Sequence, residues 1–260
     1  MALRAAGKTD VGLVRHENQD NFLVLQQQKL YAVADGMGGH AGGKRASEIT
    51  VEVLQYKLGG AAPESSAAKA GENAGNDGSD KARIDKARVD MALAAANSMI
   101  LEESREKQFD GMGTTLVLAF PADGFWHIAH IGDSRAYAFG GGAIRPLTKD
   151  HSLVEELLAQ GSITPEEAKD HPHRNILTRA LGVGDKPETE WGSIPVSEAE
   201  YLLLCSDGLY NMVDEDKMCS IVVSESLTLE GKTEALIEEA KRQGGYDNIT
   251  AVIVARGAEQ

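Results

Sequence analysis

Residues 114–147 read TTLVLAFPADGFWHIAHIGDSRAYAFGGGAIRPL, and this stretch decides the fold class. It holds four apolar runs, Thr114–Phe120, Phe125–Ile131, Ser134–Phe139 and Ala143–Leu147, separated only by Pro, Asp and Gly punctuation. Connections that short suit hairpins and are too short for helical crossovers, so the runs predict consecutive antiparallel strands. Working outward, Phe22–Leu25 and Leu30–Ala34 read as a further hairpin split by polar Gln26–Lys29. Tyr201–Cys205 reads as a buried strand and Ile249–Val254 as a closing one. Helical spacing of apolar residues is visible at Ala46, Ile49, Val53 and Leu54, and again at Ile84, Ala87, Met91, Ala94 and Ala95. Two more helical patterns fall between the last two strands. Meandering strands flanked by helices predict an α+β fold, with sheet packed on sheet and helices outside.

The 260 residues suit one domain over 1–260 with a sizeable core. Residues 59–81 contain no Val, Leu, Ile, Met or aromatic side chain, so they are expected to form a flexible insert joining two helices. A formal net charge of −14 repels a polyphosphate backbone, which excludes a nucleic-acid or anionic-membrane binder as the first expectation. Two cysteines, Cys205 and Cys219, make no disulfide framework. With no secretion signal in the opening residues and no apolar run near the ~18 a membrane helix needs, the expectation is a soluble, cytoplasmic protein.

Five aspartates stand at the ends of these strands. Asp20 precedes Phe22–Leu25, Asp35 follows Leu30–Ala34, and Asp133 breaks the chain between two strands. Asp207 follows Tyr201–Cys205, and Asp247 precedes the closing strand. Any one alone reads as a turn residue. Converging, they would share a small volume in which like charges raise one another's pKa, and hard divalent cations such as Mg²⁺ or Mn²⁺ are the natural compensation. Directly after Asp35 the chain runs Gly-Met-Gly-Gly-His-Ala-Gly-Gly, which lets backbone come close to a ligand. This loop lacks the Gly-Lys-Ser/Thr ending of a nucleotide-binding phosphate loop.

Six motifs in fixed order then carry a resemblance: Arg15-His-Glu-Asn-Gln-Asp20, Asp35-Gly-Met-Gly-Gly-His40, Gly111-Met-Gly-Thr-Thr115, Gly132-Asp-Ser-Arg135, Cys205-Ser-Asp-Gly208 and Asp247-Asn-Ile-Thr250. Together they resemble the protein phosphatase 2C family, metal-dependent serine/threonine protein phosphatases, in its compact bacterial form. The resemblance covers about Thr9 to Val254 and implies a four-layer α-β-β-α sandwich. It implies a two-metal centre in which Asp35 bridges, the Gly36 carbonyl ligates one ion, Asp207 and Asp247 complete the other, and Asp20 sits beside the pair. Asp133 with Asp207 would hold a third ion, and Arg15 would bind phosphate. Gln19 departs from relatives that carry an acidic ligand there. The implied reaction is hydrolysis of phosphoserine and phosphothreonine monoesters by a metal-bridging hydroxide, with His40, five residues after Asp35, as general acid. Residues 150–181 resemble the family's flap. Implied partners are phosphoprotein substrates, with a serine/threonine protein kinase as a first guess. A catalytically silent phosphoprotein-binding regulator is the rival reading; it would be marked by a lost metal carboxylate, and none is missing.

Cys205, inside an apolar strand, is expected to pack in the core and not to act as a nucleophile. His127 and His130 are expected to be structural. His151, His171 and His173 show no zinc-like spacing.

Overall fold

The computed structural model of the chain describes residues 2–60, 83–109, 111–169 and 171–257, without the side chains of His40 and Lys169. Most of the expected insert, 61–81, lies outside the described residues. In chain order the strands are β1 (Leu3–Asp10), β2 (Asp20–Leu25), β3 (Leu30–Met37), β4 (Gly113–Thr114), β5 (Leu116–Ala122), β6 (Phe125–Ile131), β7 (Arg135–Gly140), β8 (Ala143–Pro146), β9 (Glu190–Pro195), β10 (Tyr201–Cys205) and β11 (Ile249–Arg256). The helices are α1 (His40–Leu58), α2 (Lys86–Lys107), α3 (Leu153–Ala159), α4 (Pro165–Lys169), α5 (Asp207–Tyr210), α6 (Glu215–Val222) and α7 (Leu229–Arg242).

Two antiparallel sheets result, one ordered β1-β11-β10-β7-β8 and the other β2-β3-β5-β6-β9, with β4 paired to β3. Period-two alternation assigns each strand's side chains to two different cores. In β10, Leu202 and Leu204 face the other sheet, where they meet Tyr31, Val33, Val117 and Ile128. Leu203 and Cys205 point the other way, into a core with Leu209, Ile221, Leu236 and Ile237 of α5–α7. On the second sheet Leu30, Leu118 and Phe120 pack against Ile49, Leu54, Leu93 and Ile100 of α1 and α2. The order is therefore helices, sheet, sheet, helices, as expected for the four-layer sandwich.

Side-chain caps close several helix starts. Asp85 accepts from the Arg88 amide before α2, Asp214 from Lys217 before α6, and Thr228 from Gly231 before α7. Each satisfies one amide that the first turn leaves without a partner.

One expectation needs correction. The four runs of 114–147 are not all neighbours. β5 pairs with β6 and β7 with β8, but β6 and β7 belong to different sheets. The chain changes sheet at Gly132-Asp133-Ser134. Gly132 has φ 97, and a Cβ there would lie 2.7 Å from Thr115 Cγ2, so only glycine turns this corner without displacing Thr115. Two strands were not anticipated. β1 buries only Leu3 and Ala6, and β9 has no fully buried residue, so neither carries the apolar alternation that marks a strand. Asp20 and Asp35 also lie inside β2 and β3, whereas the sequence pattern puts both just outside.

Candidate metal centre and phosphate cleft

Strand direction brings the five aspartates together. The start of β2, the ends of β3, β6 and β10, and the starts of β5, β7 and β11 all meet at one end of the sandwich, as the antiparallel registers require. Asp20 and Asp35 are direct cross-strand partners. Asp133 occupies the sheet-changing corner, Asp207 opens α5 directly after β10, and Asp247 stands two residues before β11. Asp35, Gly36, Asp133, Asp207 and Asp247 line one cleft of about 600 Å³, with Arg15, Gln19, Thr178 and Arg179.

The carboxylates feel one another. Burial pushes Asp20 and Asp133 up to about 6, with Asp247 adding to the rise at Asp20, and Asp150 and Asp20 to that at Asp133. Burial also holds Asp35 and Asp207 well above the ordinary carboxylate range, reinforced by their acidic neighbours. Asp20 accepts at Oδ2 from Ser206 Oγ (2.6 Å) and Thr250 Oγ1 (2.7 Å), while its buried Oδ1 has no hydrogen-bond partner. A buried carboxylate oxygen without a donor, amid four more carboxylates, fits hard divalent cations: oxygen ligands are what Mg²⁺ and Mn²⁺ take, and positive charge is what the cluster lacks.

The scaffold around these carboxylates is largely hydroxyl and amide. Thr114 Oγ1 donates to the Asp35 carbonyl, and the Asp35 amide donates to Thr115 Oγ1, which also pairs with Ser134 Oγ at 2.7 Å. Tyr210 Oη donates to the Asp133 carbonyl (3.0 Å). Its ring lies 3.6 Å from the Arg135 guanidinium, which grips Asp150 with two bonds of 2.8 and 2.7 Å. Asn248 accepts from the Gln19 amide and donates to the Val11 and Glu17 carbonyls, so it ties the loop carrying Arg15 to the start of β11. Gly208 sets the spacing between Asp207 and Asp247, since a Cβ there would fall 2.0 Å from the Asn248 carbonyl oxygen.

Arg15 is exposed and donates from Nη2 to Asp247 Oδ2 over 2.7 Å. The other sequence expectations also find their places. Gly39 and His40 begin α1 beside the cleft, but the His40 side chain lies outside the described set. Cys205 is fully buried and its thiol is pushed up to about 12 by burial, which leaves it inert as a nucleophile. His127 stacks on Phe120, consistent with a structural role. His130 does more than sequence suggested. It stacks on His151 with centroids 4.5 Å apart, and ligand-type atoms of His130, His151 and Glu190 lie within 4.8 Å of one another. Arg179 reaches the same His151 Nε2 at 3.3 Å, and His151 Nδ1 accepts from the Gly132 amide. The group thus ties the corner at Gly132 to the segment running through Thr178 and Arg179.

Sequence reasoning missed Thr250, Ser206, Asn248, Tyr210 and His151 as supports of the site. The first three sit inside or beside quoted motifs, so their proximity to Asp207 and Asp247 was the available signal. Tyr210 and His151 carried none.

A two-sheet sandwich that delivers five carboxylates and an arginine to one open end has the makings of a metal-dependent phosphohydrolase. Comparison with known proteins agrees. The family model for protein phosphatase 2C matches residues 14–241. The serine/threonine phosphatase stp of Listeria monocytogenes is 40% identical, covering 99% of this chain and 98% of its own. The crystal structure of the Mycobacterium tuberculosis serine/threonine phosphatase PstP/Ppp superposes with a TM-score of 0.81 at 34% identity, covering 99% of this chain and all of that one. The catalytic domain of PstP in complex with two manganese ions is also 34% identical, with a TM-score of 0.75 and 97% of each chain covered. The chain belongs to the protein phosphatase 2C family. The enzyme class, the fold and the dependence on divalent metal expected from the motifs are thereby borne out. Among the described residues, no helix is long and apolar enough to cross a membrane.

Proposed function

We propose that this chain hydrolyses phosphoserine and phosphothreonine in phosphoproteins as a single catalytic domain, using the carboxylates gathered at the open end of the sandwich. Asp35 would bridge two cations, with the Gly36 carbonyl on one, Asp207 and Asp247 on the other, and Asp20 beside them. Asp133 and Asp207 would take a third. When bound, the cations supply charge neutralisation at the phosphoryl oxygens and a water acidic enough to be a nucleophile near neutral pH.

The chain's own groups do the rest. Arg15 presents a planar fork to two phosphoryl oxygens and orients the ester for in-line displacement. Ser206 and Thr250 fix the Asp20 carboxylate through Oδ2, which leaves its buried Oδ1 without a hydrogen-bond donor. His40 would protonate the departing serine or threonine oxygen, while the water oxygen becomes part of inorganic phosphate. No phosphoenzyme is expected, because water attacks phosphorus directly. The segment 150–181 would serve as a flap, since Leu177, Thr178, Arg179 and Ala180 line the cleft together with Val14 and Arg15. A cytoplasmic role in signalling, opposing a serine/threonine protein kinase, is the cellular reading we favour.

The observation that carries this reading is the convergence of Asp20, Asp35, Asp133, Asp207 and Asp247 from separate segments, four of them with pKa values raised by burial and shared charge. The rival, silent regulator would lack one of these acids. The test is hydrolysis of a phosphothreonine peptide with Mn²⁺ and with excess chelator. Turnover should require the metal, collapse in Asp207→Asn, and leave a phosphodiester intact. Metal-independent turnover, or an unaffected Asp207→Asn, would overturn it.

A further inference from the structure

Ten large apolar side chains are exposed among the described residues; two of them, Val14 and Val183, line the acidic cleft, and three more, Leu13, Ile176 and Tyr246, directly adjoin its lining residues Val14, Leu177 and Asp247 in the chain. Scattered apolar exposure needs no explanation, but concentration around a functional opening does. The five form two walls. On one side the Leu13 amide donates to the Gly245 carbonyl (2.8 Å), the Leu13 side chain packs on Gly245, and the Tyr246 ring covers Gly244. Val14 continues this wall into the cleft beside Arg15. On the other side Val183 lines the cleft, and Ile176 stands between the lining residues Asn175 and Leu177. Leu13, Val183 and Tyr246 are each more than 60% exposed.

Resting on the phosphatase reading above, we infer that these walls bind the apolar side chains that flank the phosphorylated residue in an extended substrate segment, and so select phosphopeptides with a bulky aliphatic residue two positions away. The occupant follows from the geometry. A phosphoryl group seated at Arg15 anchors the segment between the walls. In an extended chain, residues i and i±2 project to the same side about 7 Å apart. A side chain two positions from the phosphoresidue therefore turns toward the protein next to Arg15, where Leu13, Val14 and Tyr246 wait. An anionic membrane does not fit a chain of charge −14. A flat protein face does not fit either, because Val14 and Val183 belong to the lining of a cleft.

The experiment compares two phosphothreonine peptides, identical except for Leu or Ser at the positions two before and two after the phosphoresidue, with a small aryl phosphate as control. The wild-type enzyme should prefer the Leu peptide by about tenfold in kcat/KM, mainly through KM, as one partly buried aliphatic side chain provides. Leu13→Ser and Tyr246→Ser should each narrow that preference while leaving aryl phosphate hydrolysis unchanged. Equal treatment of the two peptides by an enzyme active on aryl phosphate overturns this inference alone, as does a preference that survives both substitutions. An enzyme with Mn²⁺ that hydrolyses neither peptide nor aryl phosphate fails the phosphatase reading and removes the inference with it.

Discussion

Arg15 and Asp247 are locked together across 2.7 Å, a guanidinium held by one of the carboxylates of the acidic cluster. Phosphate binding must therefore draw Arg15 from Asp247, or share it, while positive charge arrives at the carboxylate from elsewhere. Removing the guanidinium should cost affinity for the phosphoryl group more than it costs the fold, since Arg15 is exposed. Arg15→Ala is expected to lower kcat/KM for a phosphothreonine peptide by about 10–100-fold, the worth of a paired charge-assisted contact. Inhibition by inorganic phosphate should weaken in parallel with little change in Tm. A lower Tm with unaltered phosphate inhibition would make Arg15 a structural residue.

Stability should respond to pH differently with and without metal. Asp20 and Asp133 titrate near 6 in the fold and near 3.9 when unfolded. A raised carboxylate pKa means the folded chain holds more protons than the unfolded one between those values, so its stability falls as pH rises from about 4 to 6. His130 and His151, pushed down chiefly by burial, act in the opposite sense below about 6.5. The difference between metal-loaded and metal-free protein removes the histidine contribution. Calorimetric scans at saturating Mn²⁺ and with chelator should show a Tm gap that widens as pH rises through 6. A gap independent of pH would contradict the shared-charge account.

Thr250 reports on how the site is held without touching the cleft. It is fully buried and donates to Asp20 Oδ2 at 2.7 Å. Thr250→Val keeps the shape and removes the donor. Supports of this kind typically contribute about 10–100-fold to metal affinity. Titration calorimetry with Mn²⁺ should find weakening in that range, with turnover restored at high Mn²⁺. Unchanged affinity would mean that Asp20 takes no part in holding the ions.

Gly208 is the tightest steric point between the two carboxylate-bearing turns. Gly208→Ala would push a methyl group against the Asn248 carbonyl, and forcing such contacts costs about 1–3 kcal/mol. Chemical denaturation should show a loss of that size, and Mn²⁺ affinity should fall because Asp207 and Asp247 are driven apart. Full stability with normal affinity would show that the turn adapts.

The layers were legible in the chain because both periodicities are strong. Leu202–Cys205 and Leu116–Phe120 alternate between two apolar cores, and Ile49, Val53 and Leu54 repeat at helical spacing. β1 and β9 were not legible, since edge strands bury little and leave no pattern. The sheet change at Gly132 was hidden because a corner and a hairpin look alike locally, and what tells them apart is the distant Thr115. The site residues were read through motif order, and their convergence needed the antiparallel registers. Tyr210 and His151 act through backbone groups of Asp133 and Gly132, contacts that no sequence spacing announces.

The most direct test titrates Mn²⁺ into wild-type and Asp35→Asn protein, following bound metal by calorimetry and hydrolysis of a phosphothreonine peptide in the same samples. If the gathered aspartates hold the ions on which turnover depends, the wild type takes up at least two ions per chain, in step with the appearance of activity. Asp35→Asn should then lose both uptake and turnover while remaining folded. Full hydrolysis by Asp35→Asn, or wild-type turnover with no ion bound, would contradict the account.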